Sequence, residues 1–395
     1  MTSAVDQGVE DLELEVERIL PGGMGLAHAG GKTVFVSLAA PGDRVRVRID
    51  RQQGELLFAS IVEILTPSAV RVEPPCPYFG RCGGCDFQQL TYEAQLAAKA
   101  GIIRDCLHRI ARIENIPEIV VTPSPRDWRY RMRATWQIDQ ELRAIGYYER
   151  GSRRVCDVAE CAVLQPELQE TLERVRATEW QQFPPDLKHL DGVVGENGVS
   201  LAPSFAEFQT NELRLAIGSE VYQYDADAFF QINPSLLGSL IGHAIGDASG
   251  ATVLDLYCGV GLFTLPLARQ FGKVIGVEAN ATAARFARKN LQLAGLRNAH
   301  VITATVTDWF RSGTVGPVDV VLLDPPRAGA ESAVIKGILN LQPRAINYVS
   351  CDPATLARDL KKLLAGGYVV NSITGFDLFP QTHHVETVVR LARSE

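Results

Sequence analysis

The chain has 395 residues, of which 46% are hydrophobic and 22% charged, with a formal net charge of −7. That length exceeds one ordinary core and predicts two or three domains. The negative balance argues against a protein that coats nucleic acid, although a local basic patch can still grip it. No apolar run is long enough for a membrane span. The opening stretch, MTSAVDQGVEDLELEVE, lacks the basic and apolar regions of a signal peptide. The expectation is a cytoplasmic protein without a membrane partner. In a reducing compartment its eight cysteines read as ligands, nucleophiles or core rather than as a disulfide framework.

From Leu12 to Ile64 the pattern is short and β-like: LELEVERIL, a Gly-rich turn into Thr33–Val36, PGDRVRVRID with Val45, Val47 and Ile49 on one face, then LLFASIVEIL. About five strands in this space predict a small closed barrel of the oligonucleotide-binding kind. A loop-like stretch follows, with Cys76, Cys82 and Cys85 spaced C-x5-C-x2-C and glycines that permit tight turns. Such a cluster predicts metal ligation, by zinc or by a [4Fe–4S] cluster, with a fourth thiolate from Cys156 or Cys161 downstream. Thr91 to Ile113 predicts a helix capped by Thr91.

Between Arg126 and Arg154 arginines alternate with Trp128 and Tyr130. This suits either a solvated strand face or phosphate contact with bases stacked on the rings. To about Tyr224 the text is mixed, with alternating strands and a helix from Pro166 to Trp180. From Asp227 onward strands and helices alternate regularly. The strands are expected at Thr252–Leu256, Lys273–Val277, His300–Thr303, Val318–Leu323, Ala345–Val349 and Val369–Phe376. That order predicts an α/β domain with a doubly wound parallel sheet.

Chemistry gathers at the expected strand tips. VLDLYCGVGLFTLPLA is a strand, a Gly-rich loop and a helix, but Thr264 stands where a dinucleotide fingerprint has its third glycine. Asp255 within the strand repels a pyrophosphate and suits a cation. Glu278 ends the next strand, 23 residues on, where an acid can accept both ribose hydroxyls. Together Asp255, Gly259, Gly261 and Glu278 favour S-adenosylmethionine, which carries no phosphate, over a nicotinamide cofactor. The fourth strand ends in Asp324-Pro325-Pro326-Arg327, with Arg327 where amine methylases carry a stacking aromatic.

Cys351 falls at the tip of the following strand and Glu386 inside the apolar run VETVV. Carbon 5 of uracil becomes nucleophilic once a thiolate has added to C6, and a base must then remove the C5 proton. Cys351 and Glu386 supply that pair; His383 and His384 compete for the second role.

These motifs resemble the RNA uridine-5-methyltransferase family: FFQINPSLL, DLYCGVGLFTLPLA, LDPPRAG and SCDPATLARDL followed by HHVETV, in that order. The resemblance implies a class I methyltransferase fold, with Cys351 as nucleophile and Glu386 as base. It implies cofactor contacts at Gln231, Tyr257, Glu278 and Asp324. It also implies a [4Fe–4S] cluster on Cys76, Cys82, Cys85 and Cys161. Leu262 and Thr305 depart from the family's pattern around the adenine. The expected division is an RNA-binding TRAM-like barrel at 8–66, a mixed α+β iron–sulfur domain at 67–92 and 125–225, and a methyltransferase domain at 93–124 and 226–395. Barrel and cluster together look more like the ribosomal-RNA branch, acting on 23S rRNA as a monomer, than the transfer-RNA branch, which usually lacks both. The alternatives are a transfer-RNA uridine-5 or nucleic-acid amino-methyltransferase, and a non-catalytic iron–sulfur RNA-binding protein.

Overall fold

The computed structural model describes residues 11–312 and 316–394. The expected barrel start at residue 8 lies outside the described residues. The barrel contains six strands rather than five, in the order Leu12–Glu15, Arg44–Gln53, Leu56–Thr66, Lys32–Val36, Gly25–Ala29 and Arg18–Ile19. The two edges are consecutive in the chain. Leu12–Glu15 pairs with Arg44–Val47, and Arg18–Ile19 pairs with Gly25–Leu26, so one run of backbone closes the sheet on itself. Val34, Val36, Val45 and Val47 fill the interior with no exposure. Buried Asp43 accepts from Ala40 N and Ser68 N and pairs with Arg71 at 2.6 Å, fastening the barrel to the linker.

The middle of the chain forms a five-stranded antiparallel sheet: Val155–Asp157, Ala144–Tyr148, Arg133–Asp139, His189–Gly195 and Gly198–Ala202. The helix Pro166–Ala177 packs on it through Leu168, Leu172 and Val175. Leu213–Ile217 and Glu220–Tyr224 make a separate hairpin.

The third sheet has eight strands, ordered Ala299–Thr303, Phe271–Glu278, Gly250–Leu256, Val320–Leu323, Ala345–Ser350, Glu386–Arg393, Tyr368–Phe376 and Val120–Thr122. All six expected strands are present within a few residues of their predicted ends. The expectation of a parallel sheet needs one correction. Glu386–Arg393 runs antiparallel between Ala345–Ser350 and Tyr368–Phe376. It returns through the short loop 377–385 instead of a helical crossover, which only an antiparallel neighbour allows. A strand reversed in this way begins at the edge where its neighbours end.

Thr91 caps the helix Tyr92–Cys106, accepting from Ala94 N, and a further π-helical turn, Leu107–Ala111, ends at Arg112 with φ of 63°. One apolar cluster runs from Met132 and Trp136 of the middle sheet through Leu237 to Val253 and Val388 of the third, so the two sheets share a core. No helix among the described residues is long and apolar enough to cross a membrane.

Candidate functional site

Ala345–Ser350 and Glu386–Arg393 pair with Ser350 opposite Thr387. One step further along that register sets Cys351 opposite Glu386, at the end of the sheet where an α/β crevice lies. The tip is held by local chemistry. Ser350 Oγ accepts from Asp352 N at 3.2 Å, and Asp352 caps the helix Pro353–Ala365 by accepting from Ala354 N and Thr355 N at 2.9 and 2.8 Å. Pro353 at the first helical position suits that start.

The two groups are electrostatically joined. Burial, then Glu386, then Asp324 push the Cys351 thiol up to about 12, while Arg327 pulls it down. Glu386 is 1% exposed and its Oε1 has no hydrogen-bond partner. Burial and the neighbouring Asp324 hold its carboxyl well above the usual range, again opposed by Arg327. Sequence reasoning noted Arg327 only for the aromatic it replaces. It is a positive group that acts on both Cys351 and Glu386, and its one local signal is its place directly after the two prolines. His384 is driven down to about 3 by burial and by His383. His383 is bound to Asp86.

The cofactor candidates lie on neighbouring strand ends. Tyr257 is non-glycine yet has φ of 62°, and Gly259 and Gly261 follow at 54° and 94°. Strain of this kind collects where backbone must approach a ligand. A Cβ on Gly261 would meet Leu265 at 3.0 Å. Glu278 accepts from Gly259 N at 2.9 Å and Asn280 N at 2.7 Å, which aims its carboxylate at the loop. Gln231 Nε2 donates to Asp324 at 3.4 Å.

Asp255 is fully buried; one oxygen takes the Thr264 hydroxyl and the other has no partner. The threonine in place of a third glycine thus holds the acid. Burial raises Asp255 to about 7, and burial plus Asp255 raises Asp324 to about 7. A crevice with three raised acids and an orphaned carboxylate oxygen fits a cationic ligand such as S-adenosylmethionine. Cys258 is buried and packs against Gly276. Leu262 is core, and Thr305 accepts from Asp308 N.

Cys76, Cys82, Cys85 and Cys161 border a single small cavity with Arg131 and Tyr147, while Cys156 is buried on the adjoining strand Val155–Asp157. Arg131 Nε and the Tyr147 hydroxyl are buried there without hydrogen-bond partners. A cationic side chain and a hydroxyl aimed at four thiols are a donor set that fits an anionic thiolate cluster. No three potential ligands among the described residues converge on one metal-ion position.

The basic stretch divides. Tyr130 is 1% exposed and its hydroxyl donates to Pro380 O, so neither a solvated face nor base stacking, the two readings of this stretch, holds at this residue. Arg131 faces the cysteine cavity. Arg133 donates to Ala226 O and Ala228 O, and Arg154 pairs with Glu149. Arg126, Arg129, Arg143 and Arg153 remain exposed. Phe229, two residues before Gln231, is 63% exposed. It opens the FFQINPSLL motif, whose pattern alone assigns it no role.

Residues 204–312 and 316–394 match the tRNA (uracil-5-)-methyltransferase family, and residues 12–70 match the TRAM domain of tRNA (uracil(54)-C(5))-methyltransferase. The chain is 32% identical to an RNA methyltransferase of Gloeobacter violaceus, covering 98% of this chain and 97% of that one. It is 31% identical to the 23S rRNA (uracil(1939)-C(5))-methyltransferase RlmD of Vibrio parahaemolyticus, covering 96% of each. The crystal structure of Pyrococcus abyssi tRNA (uracil-54, C5)-methyltransferase with S-adenosyl-L-homocysteine superposes with a TM-score of 0.75 at 25% identity, over 96% of this chain and all of that one. The barrel alone therefore does not separate ribosomal from transfer-RNA enzymes. Motifs, fold and full-length relatives agree, and the chain belongs to the S-adenosylmethionine-dependent RNA uracil-5-methyltransferase family.

Proposed function

We propose that this enzyme methylates C5 of a uridine in 23S ribosomal RNA through a covalent adduct on Cys351. The observation that carries the reading is the antiparallel pair that sets Cys351 opposite a buried, unpartnered Glu386. Cys351 loses its thiol proton to solvent and its sulfur bonds to C6 of the uracil; the C5–C6 electron pair then bonds C5 to the methyl carbon, whose bond to the sulfonium sulfur breaks as S-adenosylhomocysteine leaves. S-adenosylmethionine supplies an electrophilic methyl group. Gln231, Asp255, Tyr257, Gly259, Gly261, Glu278 and Asp324 hold that cofactor against the ring. Glu386 then takes the C5 proton, the electron pair re-forms the C5–C6 double bond, and Cys351 leaves as a thiolate. Arg327 favours the thiolate at the start and at the end.

Cys76, Cys82, Cys85 and Cys161 are the residues that would hold a [4Fe–4S] cluster, with Arg131 and the Tyr147 hydroxyl beside it. When bound it supplies rigid cross-links between distant segments; the methylation moves no net electron. The target base leaves its stack to reach Cys351. A groove lined by Ser37, Ser60, Tyr148, Arg150 and His383 runs between the barrel and the middle sheet and suits the flanking RNA. The enzyme acts in the cytoplasm as a monomer.

The alternative substrate is transfer RNA, favoured by the TRAM match and the Pyrococcus abyssi structure. The deciding experiment offers methyl-labelled cofactor with 23S rRNA and with transfer RNA, both lacking 5-methyluridine, and digests each to nucleosides. Label in 5-methyluridine from 23S rRNA alone supports the proposal; label from transfer RNA alone overturns its choice of substrate.

A further inference from the structure

Glu386 has no side-chain partner on Oε1 to fix it. Its position therefore follows its backbone, which pairs with Phe376 in the sheet on one side and is delivered by the loop 377–385 on the other. Gln381, at the centre of that loop, is 2% exposed and has φ of 68°, a left-handed conformation that an L residue keeps only when its surroundings enforce it. Three distant segments enforce it. Asp86 N and Phe87 N both donate to Gln381 O at 3.0 Å. Gln95, buried on the helix Tyr92–Cys106, accepts from Gln381 N at 2.9 Å and donates to Gln381 Oε1 at 3.0 Å. Gln381 Nε2 donates to Asp127 O at 3.3 Å.

The Asp86 carboxylate then grips the next turn. It accepts from His383 N at 2.7 Å and pairs with His383 Nδ1 at 2.5 Å. Asp86 directly follows Cys85. Cys351 stands apart from this network, on its own strand tip and capped helix.

We propose that Asp86 is a positioning residue for the base: the cysteine-bearing segment holds the 377–385 loop so that Glu386 meets the C5 proton. This rests on the reading of Cys351 and Glu386 as nucleophile and base. The two chemical halves of the reaction are then supported separately. Adduct formation and methyl transfer depend on the Cys351 tip. Proton removal from C5, re-formation of the double bond and departure of the thiolate depend on the braced loop. The segment bearing Cys76, Cys82 and Cys85 thereby acts on the second half without touching substrate.

The test uses the full chain with S-adenosylmethionine and its substrate RNA, and compares turnover with the yield of covalent protein–RNA adduct on a denaturing gel. Asp86→Ala is expected to lower turnover between about tenfold and a hundredfold while adduct accumulates as in Glu386→Gln. Asp86→Asn, which still accepts from His383 N, restores much of the turnover. Gln95→Leu loosens the same loop from the helix Tyr92–Cys106 and accumulates adduct as well. The proposal is overturned if Asp86→Ala and Gln95→Leu turn over like wild type. It is also overturned if both lose adduct and turnover in equal proportion, the mark of a general structural defect. Should Glu386→Gln form no adduct while wild type is active, the base assignment fails and the positioning role falls with it.

Discussion

The molecule holds thiols in two settings that burial treats alike and neighbours treat differently. Burial pushes both Cys351 and Cys85 up to about 12. Around Cys351 the next contributors are the carboxylates of Glu386 and Asp324, with Arg327 opposing them. Around Cys85 the next is another thiol, Cys161, with Arg131 among the opposing groups. A single thiol facing an acid is equipped to form and break one bond while a proton changes hands. Four thiols around a cavity, with the buried Nε of Arg131 beside them, are equipped to bind metal ions together. The residue type is the same, and its use follows from what stands opposite it.

The strongest way to separate the two settings is to remove one thiol from each. Cys351→Ala is expected to reduce methylation below detection while the iron content of the purified protein stays as in wild type. Loss of iron in this variant would break the distinction. Next in size, Glu386→Gln keeps the shape of the side chain but not its basicity. Multiple turnover is expected to fall by about 10²–10⁴ in a rate assay with labelled cofactor.

On the other side, Cys161→Ser is expected to release most of the iron measured by elemental analysis, whereas Cys156→Ser retains it, because only Cys161 lines the cavity with Cys76, Cys82 and Cys85. Equal loss from both would place the fourth ligand elsewhere.

The smallest effect concerns stability and pH. A carboxyl whose folded value lies above its ordinary 4.5 is protonated in both states at lower pH, so it costs nothing there. Above that value the unfolded chain ionises freely while the folded one does not, and stability falls by up to about 1.4 kcal/mol per pH unit until the folded value is passed. Glutamine lacks this dependence. Glu386→Gln is therefore expected to melt higher than wild type, with the gap opening as pH rises from acid to neutral. A gap that closes toward neutral pH contradicts the buried, raised carboxyl.

Much of this was legible because it is local. Ser350-Cys351-Asp352-Pro353 encodes a strand end, a cap and a helix start in four residues, and Thr91 announces its helix in the same way. Glu278 reads as a tip acid because apolar strand residues precede it. The direction of Glu386–Arg393 was not legible, since alternation along a strand is the same in either direction and only the pairing decides. The arginine and aromatic run around Tyr130 leaves two readings open for a related reason. Its alternation sends residues to both faces, and the pattern does not say which face is water and which is the cysteine cavity. The hydrogen bonds between Gln95 and Gln381 span 286 positions of sequence, and neither residue carries a local motif.

The proposed chemistry passes through a covalent bond between Cys351 and the RNA. Its most direct measurement is a denaturing gel of Glu386→Gln after incubation with S-adenosylmethionine and the RNA that wild type methylates. A slow-migrating protein–RNA species that carries the transferred methyl group is expected, and it is absent when Cys351→Ala is added. A Glu386→Gln enzyme that yields no such species, on RNA that wild type methylates, would contradict it.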